Sequence, residues 1–433
     1  MPFDRAAAAP RRIAVVGGGI SGMGAAHFLA DHHRVVLFEG GARLGGHART
    51  LVAGRHGDQP VDTGFIVFNR PNYPRLTALF DRLDVPVAPS DMTFAASIDG
   101  GRIEYGLRNI RTLFAQRRNL ARPSFLRMIR DIVKFNSRAE AAVAMAPGAT
   151  IGDLLRTLGT GRWFRDYYLS PLSGAIWSTP AREILDFPAR AMVEFFRNHA
   201  LLHHTGQHQW YTVRGGSVQY VSRLGRELAR QGVETRLASP VAAVRRGPGY
   251  VDLRARGGDW ERFDDVVFAT HSNDTLGLLA DPLPHEQAAL AAIAFRPNDV
   301  TLHADSSVMP RRRACWSAWN YAEAPGKRCE RIDLTYWMNA LQGIPASDPL
   351  FVTLNSTRPI RDELIYDQTT MHHPVYNLAA FAAQEALAKR NGEARTWFCG
   401  AWMKSGFHED GLASAADVAD AILSESTLAT AAQ

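Results

Sequence analysis

Gly17, Gly19 and Gly22 follow the apolar run 13–16 (Ile-Ala-Val-Val), and Glu39 closes a second apolar run, 35–38, placed 20 residues after Gly19. Residues of these types at this spacing hold a dinucleotide. Gly17 permits a tight turn, Gly19 lets a pyrophosphate approach the backbone, and Gly22 lets a helix pack on its strand. Ile20 and Ser21 open that helix, whose free N–H groups and dipole favour an anion. Glu39 has the place of an acid that accepts from ribose hydroxyls. A second loop follows directly, with Arg43, Gly45, Gly46 and His47. Paired glycines and a guanidinium after the ribose acid suit a cofactor longer than NAD, one whose pyrophosphate and ribitol continue past the first helix. The chemistry expected is therefore redox chemistry on FAD, held without a covalent bond.

The elements that must position these residues can be read from periodicity. A strand, a helix and a second strand carry the first motif, and strand–helix alternation continues to about residue 90. Gly215-Gly216-Ser217 caps a helix with Val221, Leu224 and Leu228 on one face, and a strand is expected over 233–237. Runs 250–256 and 262–268 flank Gly257-Gly258-Asp259 and predict a hairpin. The run 265–270, ending Ala269-Thr270, reads as a strand returning to the cofactor.

Three blocks carry a family resemblance. Glu39-x-x-x-Arg43-x-Gly45-Gly46-x-x-x-Thr50 is followed by Val61-Asp62-x-Gly64. The third block is Trp397-Phe-Cys-Gly400-Ala-Trp402 with Gly406-Phe-His-Glu-Asp-Gly411-Leu412-Ala-Ser-Ala415. Together they resemble the flavin-containing amine oxidase and phytoene desaturase superfamily, and most nearly a bacterial subgroup linked to modified fatty acid metabolism. The resemblance implies an α/β fold: an FAD-binding Rossmann-like domain of the glutathione-reductase type with an inserted α+β substrate domain. The FAD domain would be discontinuous, at 11–90, 210–290 and 391–425, with the substrate domain at 91–209 and 291–390. It also implies that Gly64, Ala269, Gly400, Gly411 and Leu412 lie against the cofactor, the last helix facing the flavin pyrimidine. Val241 would meet the adenine through its backbone. Amine oxidases of this superfamily carry a lysine near flavin N5; the comparable stretch here, 294–303, has none.

Composition narrows the class. At 433 residues and 46% hydrophobic, the chain can bury two cores. A formal charge of +6 is below the density of a nucleic-acid binder. Cys315, Cys329 and Cys399 lack CxxC spacing, which argues against a disulfide framework and for a reducing compartment. Cys399, at a strand end, reads as packed. Residues 6–10 form a short leader without the apolar core of a signal peptide, and no run approaches membrane-spanning length. The cytoplasm is expected, with peripheral placement on the inner membrane face as an option.

That option comes from residues 108–138, where nine basic residues stand against one acid, Asp131. Phe125, Met128, Ile129, Ile132 and Val133 line one helical face; Arg127, Arg130, Lys134 and Arg138 line another. Such a helix serves either a core with a solvated basic side or an anionic membrane surface. Aromatic stretches at 163–168, 171–177, 316–321 and 335–339 suit a long hydrocarbon. His199, His203, His204 and His208 cluster, with His199 and His203 four apart on one prospective helix face. They lack carboxylates at ligand spacing, so no metal is expected. Tyr167, Tyr168, His199 and Lys404 are candidates for catalysis, as bases or, for Lys404, as partner to a substrate anion. The expected activity is desaturation of a lipid-like acyl chain by hydride transfer to flavin N5, with oxygen or a quinone as acceptor. Double-bond isomerisation and amine oxidation are the alternatives.

Overall fold

The computed structural model describes residues 9–177, 183–203, 206–326 and 331–431. His204, Cys329 and most of the short leader lie outside the described residues. Among the described residues, a five-stranded parallel sheet runs in the order Glu234–Arg236, Arg34–Phe38, Arg12–Val16, Asp265–Phe268, Thr396–Phe398. In chain order this is 3-2-1-4-5. The direction of winding reverses between Arg12–Val16 and Asp265–Phe268, which opens a crevice at their carboxyl ends.

Both faces of the sheet are covered, and the strand residues divide between them by the two-residue alternation of a pleated strand. Ile13, Val15, Val35 and Leu37 pack with the helices Ile20–Leu29, Val218–Arg230 and His408–Ala431. Ala14, Val16, Val36 and Phe38 pack with an antiparallel meander of Val241–Gly247, Tyr250–Ala255 and Trp260–Phe263. This double burial is why the strands read as unbroken apolar runs. Gly24 lets the first and last helices touch, since a Cβ there would lie 2.6 Å from Leu412 Cδ1.

A seven-stranded sheet forms the second layer of structure, in the order Ile365–Pro374, Phe295–His303, Phe351–Leu354, Asp333–Trp337, Trp319–Ala322, Phe94–Ile98, Ile103–Gly106. Its helical cover includes Pro123–Met145, Ile151–Leu158, Ser170–Trp177 and Ala189–Asn198, which share one core with it. A small antiparallel sheet of Val67–Asn69, Trp210–Val213 and Val87–Ser90 sends Phe68 and Val213 into the core shared with the parallel sheet. Helix Leu378–Lys389 contributes Ala380, Ala383 and Leu387 to the core beneath the parallel sheet.

Several local expectations change. The run 262–268 divides at Asp264: Trp260–Phe263 closes the meander, and Asp265–Phe268 joins the parallel sheet. The strand expected over 233–237 shortens to Glu234–Arg236. The basic helix is real, but Val133 is 49% exposed, while Phe125, Met128 and Phe135 are buried. At about 100° per residue, Val133 lies some 80° round from Phe125, enough to leave the core face. His199 and His203 do not share a helix, because Ala189–Asn198 ends before them and Ala200 turns back with φ of +55°.

Candidate active site

The glycine motif folds into a cradle at the crevice. Gly17 has φ of +106°, and a Cβ there would sit 3.0 Å from the Ala269 carbonyl oxygen, across the reversal of winding. A Cβ on Gly22 would collide with the Gly17 carbonyl oxygen. Over Gly19 the space is open, its nearest neighbour being Gly46 Cα at 4.0 Å. Helix Ile20–Leu29 has no side-chain cap at Gly19, so its first N–H groups are free for an anion. Glu39 braces the turn, accepting from Gly18 N–H and from Gly41 N–H, each at 2.6 Å. A carboxylate has about four lone-pair positions, so room remains for two ribose hydroxyls.

The second loop is held from within. Arg43 donates to the carbonyls of Leu44, Ala48 and Gly46 at 3.1, 2.9 and 3.0 Å, so its guanidinium ties the glycine turn together while lining the cavity. Gly64 passes so close to the His47 carbonyl that a Cβ would collide with it. Gly17, Gly19, Ile20, Ser21, Glu39, Arg43, Gly45, Gly46, His47, Gly64, Ala269 and Gly400 all line one continuous cavity of about 1720 Å³. That exceeds the roughly 300–1,000 Å³ of an ordinary ligand pocket and leaves space for a cofactor and a substrate together. The open surface over Gly19, the uncapped helix and the braced acid fit a stretched dinucleotide.

Four residues lie behind that surface. Gly22 is packed on its strand, and Leu412 is fully buried among the helices. A Cβ on Gly411 would meet Ser21 Oγ at 2.8 Å, so it fits the last helix against the first. Val241 starts the meander and is 9% exposed. Cys399 is buried, and burial pushes its thiol up to about 12, which suits a packed, inert residue.

Beyond the cradle the cavity is walled by imidazoles from distant segments. The His47 ring lies 5.6 Å from that of His271 and 6.0 Å from that of His373. His271 stacks on Phe295 at 4.2 Å, and His408 stacks on Phe65 at 3.9 Å while sharing a 2.6 Å hydrogen bond with the Tyr220 hydroxyl. Burial lowers His271, His373 and His408 to about 3, so all three are neutral at pH 7. His47 is lowered by the same cause. Sequence reasoning passed over Phe65, His271 and Tyr220. The signal for His271 was its place two residues beyond Ala269, at the carboxyl end of a crevice strand. Among the described residues no group of three or more His, Cys, Asp or Glu is arranged to hold a metal ion.

The outer chamber is apolar, with Ile129, Ile132, Leu172, Ile176, Trp177, Trp210, Trp319, Tyr336 and Leu354 among its walls. Three acids line the whole cavity: Glu39 braces the turn, Asp91 pairs with Arg108, and Asp274 is an exposed carboxylate that accepts from Asn273 Nδ2 at 3.2 Å and has only the neutral His271 ring beside it. Among the described residues no lysine lines it, and Val300 occupies the strand where a lysine was expected to be missing.

The catalytic candidates separate. Tyr168 lines the chamber from a widened π turn, Arg165–Leu169, and burial pushes its hydroxyl up to about 12. His199 also lines it, lowered by burial to about 4; its Nδ1 donates to the Phe195 carbonyl at 3.0 Å, which leaves Nε2 as the basic nitrogen. Tyr167 is not part of the lining; its ring meets Trp163 edge-on at 4.9 Å. Lys404 is turned away in an ion pair with Asp417 at 2.9 Å.

A parallel 3-2-1-4-5 sheet with a dinucleotide cradle defines a nucleotide-binding flavoprotein fold. The chain belongs to the flavin containing amine oxidoreductase family, whose model matches residues 20–327, and it is an FAD-dependent oxidoreductase. It is 41% identical over 75 residues to (S)-6-hydroxynicotine oxidase of Paenarthrobacter nicotinovorans, a match spanning 17% of this chain and 18% of that protein. Its fold is similar to that of cyclohexylamine oxidase from Brevibacterium oxydans, with a TM-score of 0.70 at 15% identity, covering 96% of this chain and 99% of that one. It is likewise similar to a CLA-producing fatty acid isomerase from P. acnes, with a TM-score of 0.67 at 14% identity, covering 94% and 97%.

Proposed function

We propose that this oxidoreductase removes two hydrogens from an apolar, lipid-like acyl chain. The observation that carries the reading is the outer chamber: its walls are aromatic and aliphatic, and of the acids lining the cavity Asp91 is paired with Arg108 while Asp274 stands 59% exposed to water. A buried ammonium without a counter-charge is costly, whereas a hydrocarbon gains about 25 cal/mol for each Å² it removes from water there.

Bound FAD supplies a hydride acceptor at N5. The chain's own residues do the rest. Gly17, Gly19, Glu39 and Arg43 would hold the dinucleotide end at the crevice. Trp177, Trp210, Trp319 and Tyr336 exclude water and align the chain. His199 Nε2 carries a free lone pair at pH 7 and is the base we assign to the departing proton. Tyr168, held protonated by burial, is not a base for that proton at neutral pH.

The test is the product mass after incubation with unsaturated or methyl-branched phospholipid. A mass two hydrogens lower supports the reading. An unchanged mass with a displaced double bond supports an isomerase instead, a reading favoured by the fold shared with the fatty acid isomerase. Turnover of amines alone, with peroxide release, overturns both.

A further inference from the structure

The cavity opens beside the basic segment, and its rim is apolar and exposed. Ile110 and Val133 both line the cavity, yet they are 76% and 49% exposed. Leu126, seven residues before Val133 on helix Pro123–Met145, is 45% exposed. Seven residues complete nearly two turns, so Leu126 and Val133 form one stripe, about 20° apart. Arg127 and Arg138 lie roughly 100–120° round from Leu126, both on the same side of that stripe, and Arg111 follows Ile110 directly. All three are exposed, and none has an ion-pair partner among the described residues. Of the two acids on this helix, Asp131 is buried and accepts from Gly161 N–H at 2.9 Å, and the exposed Glu140 is paired with Arg197 at 3.8 Å, so neither is paired with these three cations.

We propose that this rim docks on an anionic bilayer surface, with Ile110, Leu126 and Val133 entering the acyl boundary and Arg111, Arg127 and Arg138 engaging lipid phosphates. An apolar stripe bordered along one side by long basic side chains can lie in such an interface, each guanidinium reaching up to the headgroups from an apolar stem. Unbalanced cations select negatively charged lipid, and the cavity mouth then faces the acyl chains directly. The purpose of the docking rests on the acyl-chain reading above, whereas the docking is measurable without turnover. Among the described residues no helix is long and apolar enough to cross a membrane.

The experiment is co-sedimentation of the FAD-loaded protein with phosphatidylcholine vesicles, with and without phosphatidylglycerol, at low and high salt. Binding that needs phosphatidylglycerol and weakens with salt is expected. Arg127→Glu with Arg138→Glu lowers partitioning by roughly tenfold or more, and Ile110→Ser with Val133→Ser lowers it at both salts. Arg226→Glu, an exposed site on the FAD-side helix Val218–Arg230, leaves it unchanged. Equal affinity for both vesicles, no affinity, or equal loss in the Arg226 variant overturns the docking. Turnover of detergent-dispersed acyl chains without vesicle affinity overturns the docking and leaves the substrate reading intact. Vesicle affinity with no acyl chain oxidised supports the docking and removes the substrate reading.

Discussion

Gly45 N–H donates to the Gly18 carbonyl at 2.8 Å, and Gly45 runs beside Gly19 as a one-residue parallel bridge. The two glycine loops, far apart in role by their motifs, are therefore one surface. Gly45 adopts φ of +109°, and a Cβ there would lie 2.8 Å from the Ala48 carbonyl oxygen. Gly45→Ala is expected to weaken FAD binding by roughly tenfold or more, given a strain of about 1–3 kcal/mol at such a backbone. Titration of the apoprotein with FAD, followed by flavin fluorescence, reads this directly; an unchanged dissociation constant would show that the loop does not shape the site.

Glu39 has two tasks, bracing Gly18 and Gly41 and offering its remaining lone pairs to the ribose. In Glu39→Gln an amide NH₂ faces backbone N–H groups that already donate. Charge-assisted bonds are each worth about 1.5–3 kcal/mol, so FAD affinity should fall roughly 10- to 100-fold. The same titration checks it, and Glu39→Asp should lose affinity as well because the shorter arm reaches one loop only.

Lys404→Met should leave turnover and FAD affinity within about twofold of the parent. Its ammonium is committed to Asp417, and surface pairs of this kind contribute about 0–1 kcal/mol. Steady-state rates on any oxidised substrate, compared with those of Tyr168→Phe, separate a surface lysine from a chamber residue.

Acid should destabilise the fold early. His199 and His303 are held at about 4, and His271, His373 and His408 at about 3, in each case chiefly by burial. Their ordinary value is near 6.5, so below that pH the unfolded chain takes up protons that the folded chain refuses. Each then removes about 1.4 kcal/mol per pH unit as pH falls from 6.5 towards its folded value. Asp62 and Asp410 work the other way: burial raises both to about 6, so the fold gains their protons first as pH drops from 6 towards 4. Five histidines outweigh two aspartates, and the melting temperature of the FAD-loaded protein should fall steadily between pH 6.5 and 4. A flat or rising profile would contradict the burial of these imidazoles.

The FAD cradle was legible because its glycines answer local backbone demands: Gly17, Gly22 and Gly64 each stand where a Cβ has no room. The strand alternation was legible for the same reason, burial on both faces leaving only apolar residues at 13–16 and 35–38. The imidazole wall was not. His47, His271, His373 and His408 come to one cavity only after strands hundreds of residues apart are paired, as when Arg12–Val16 lies parallel to Asp265–Phe268, just before His271. Helical spacing also misled at His199 and His203, where the left-handed turn at Ala200 is a consequence of tertiary packing that no residue type announces.

The most direct test mixes the FAD-loaded protein with unsaturated phosphatidylglycerol in the absence of oxygen and follows the oxidised flavin absorbance. Bleaching of that band by the acyl lipid, and its absence with simple amines, is what the apolar chamber predicts. A band that amines bleach and acyl lipids leave untouched would contradict the assigned substrate class.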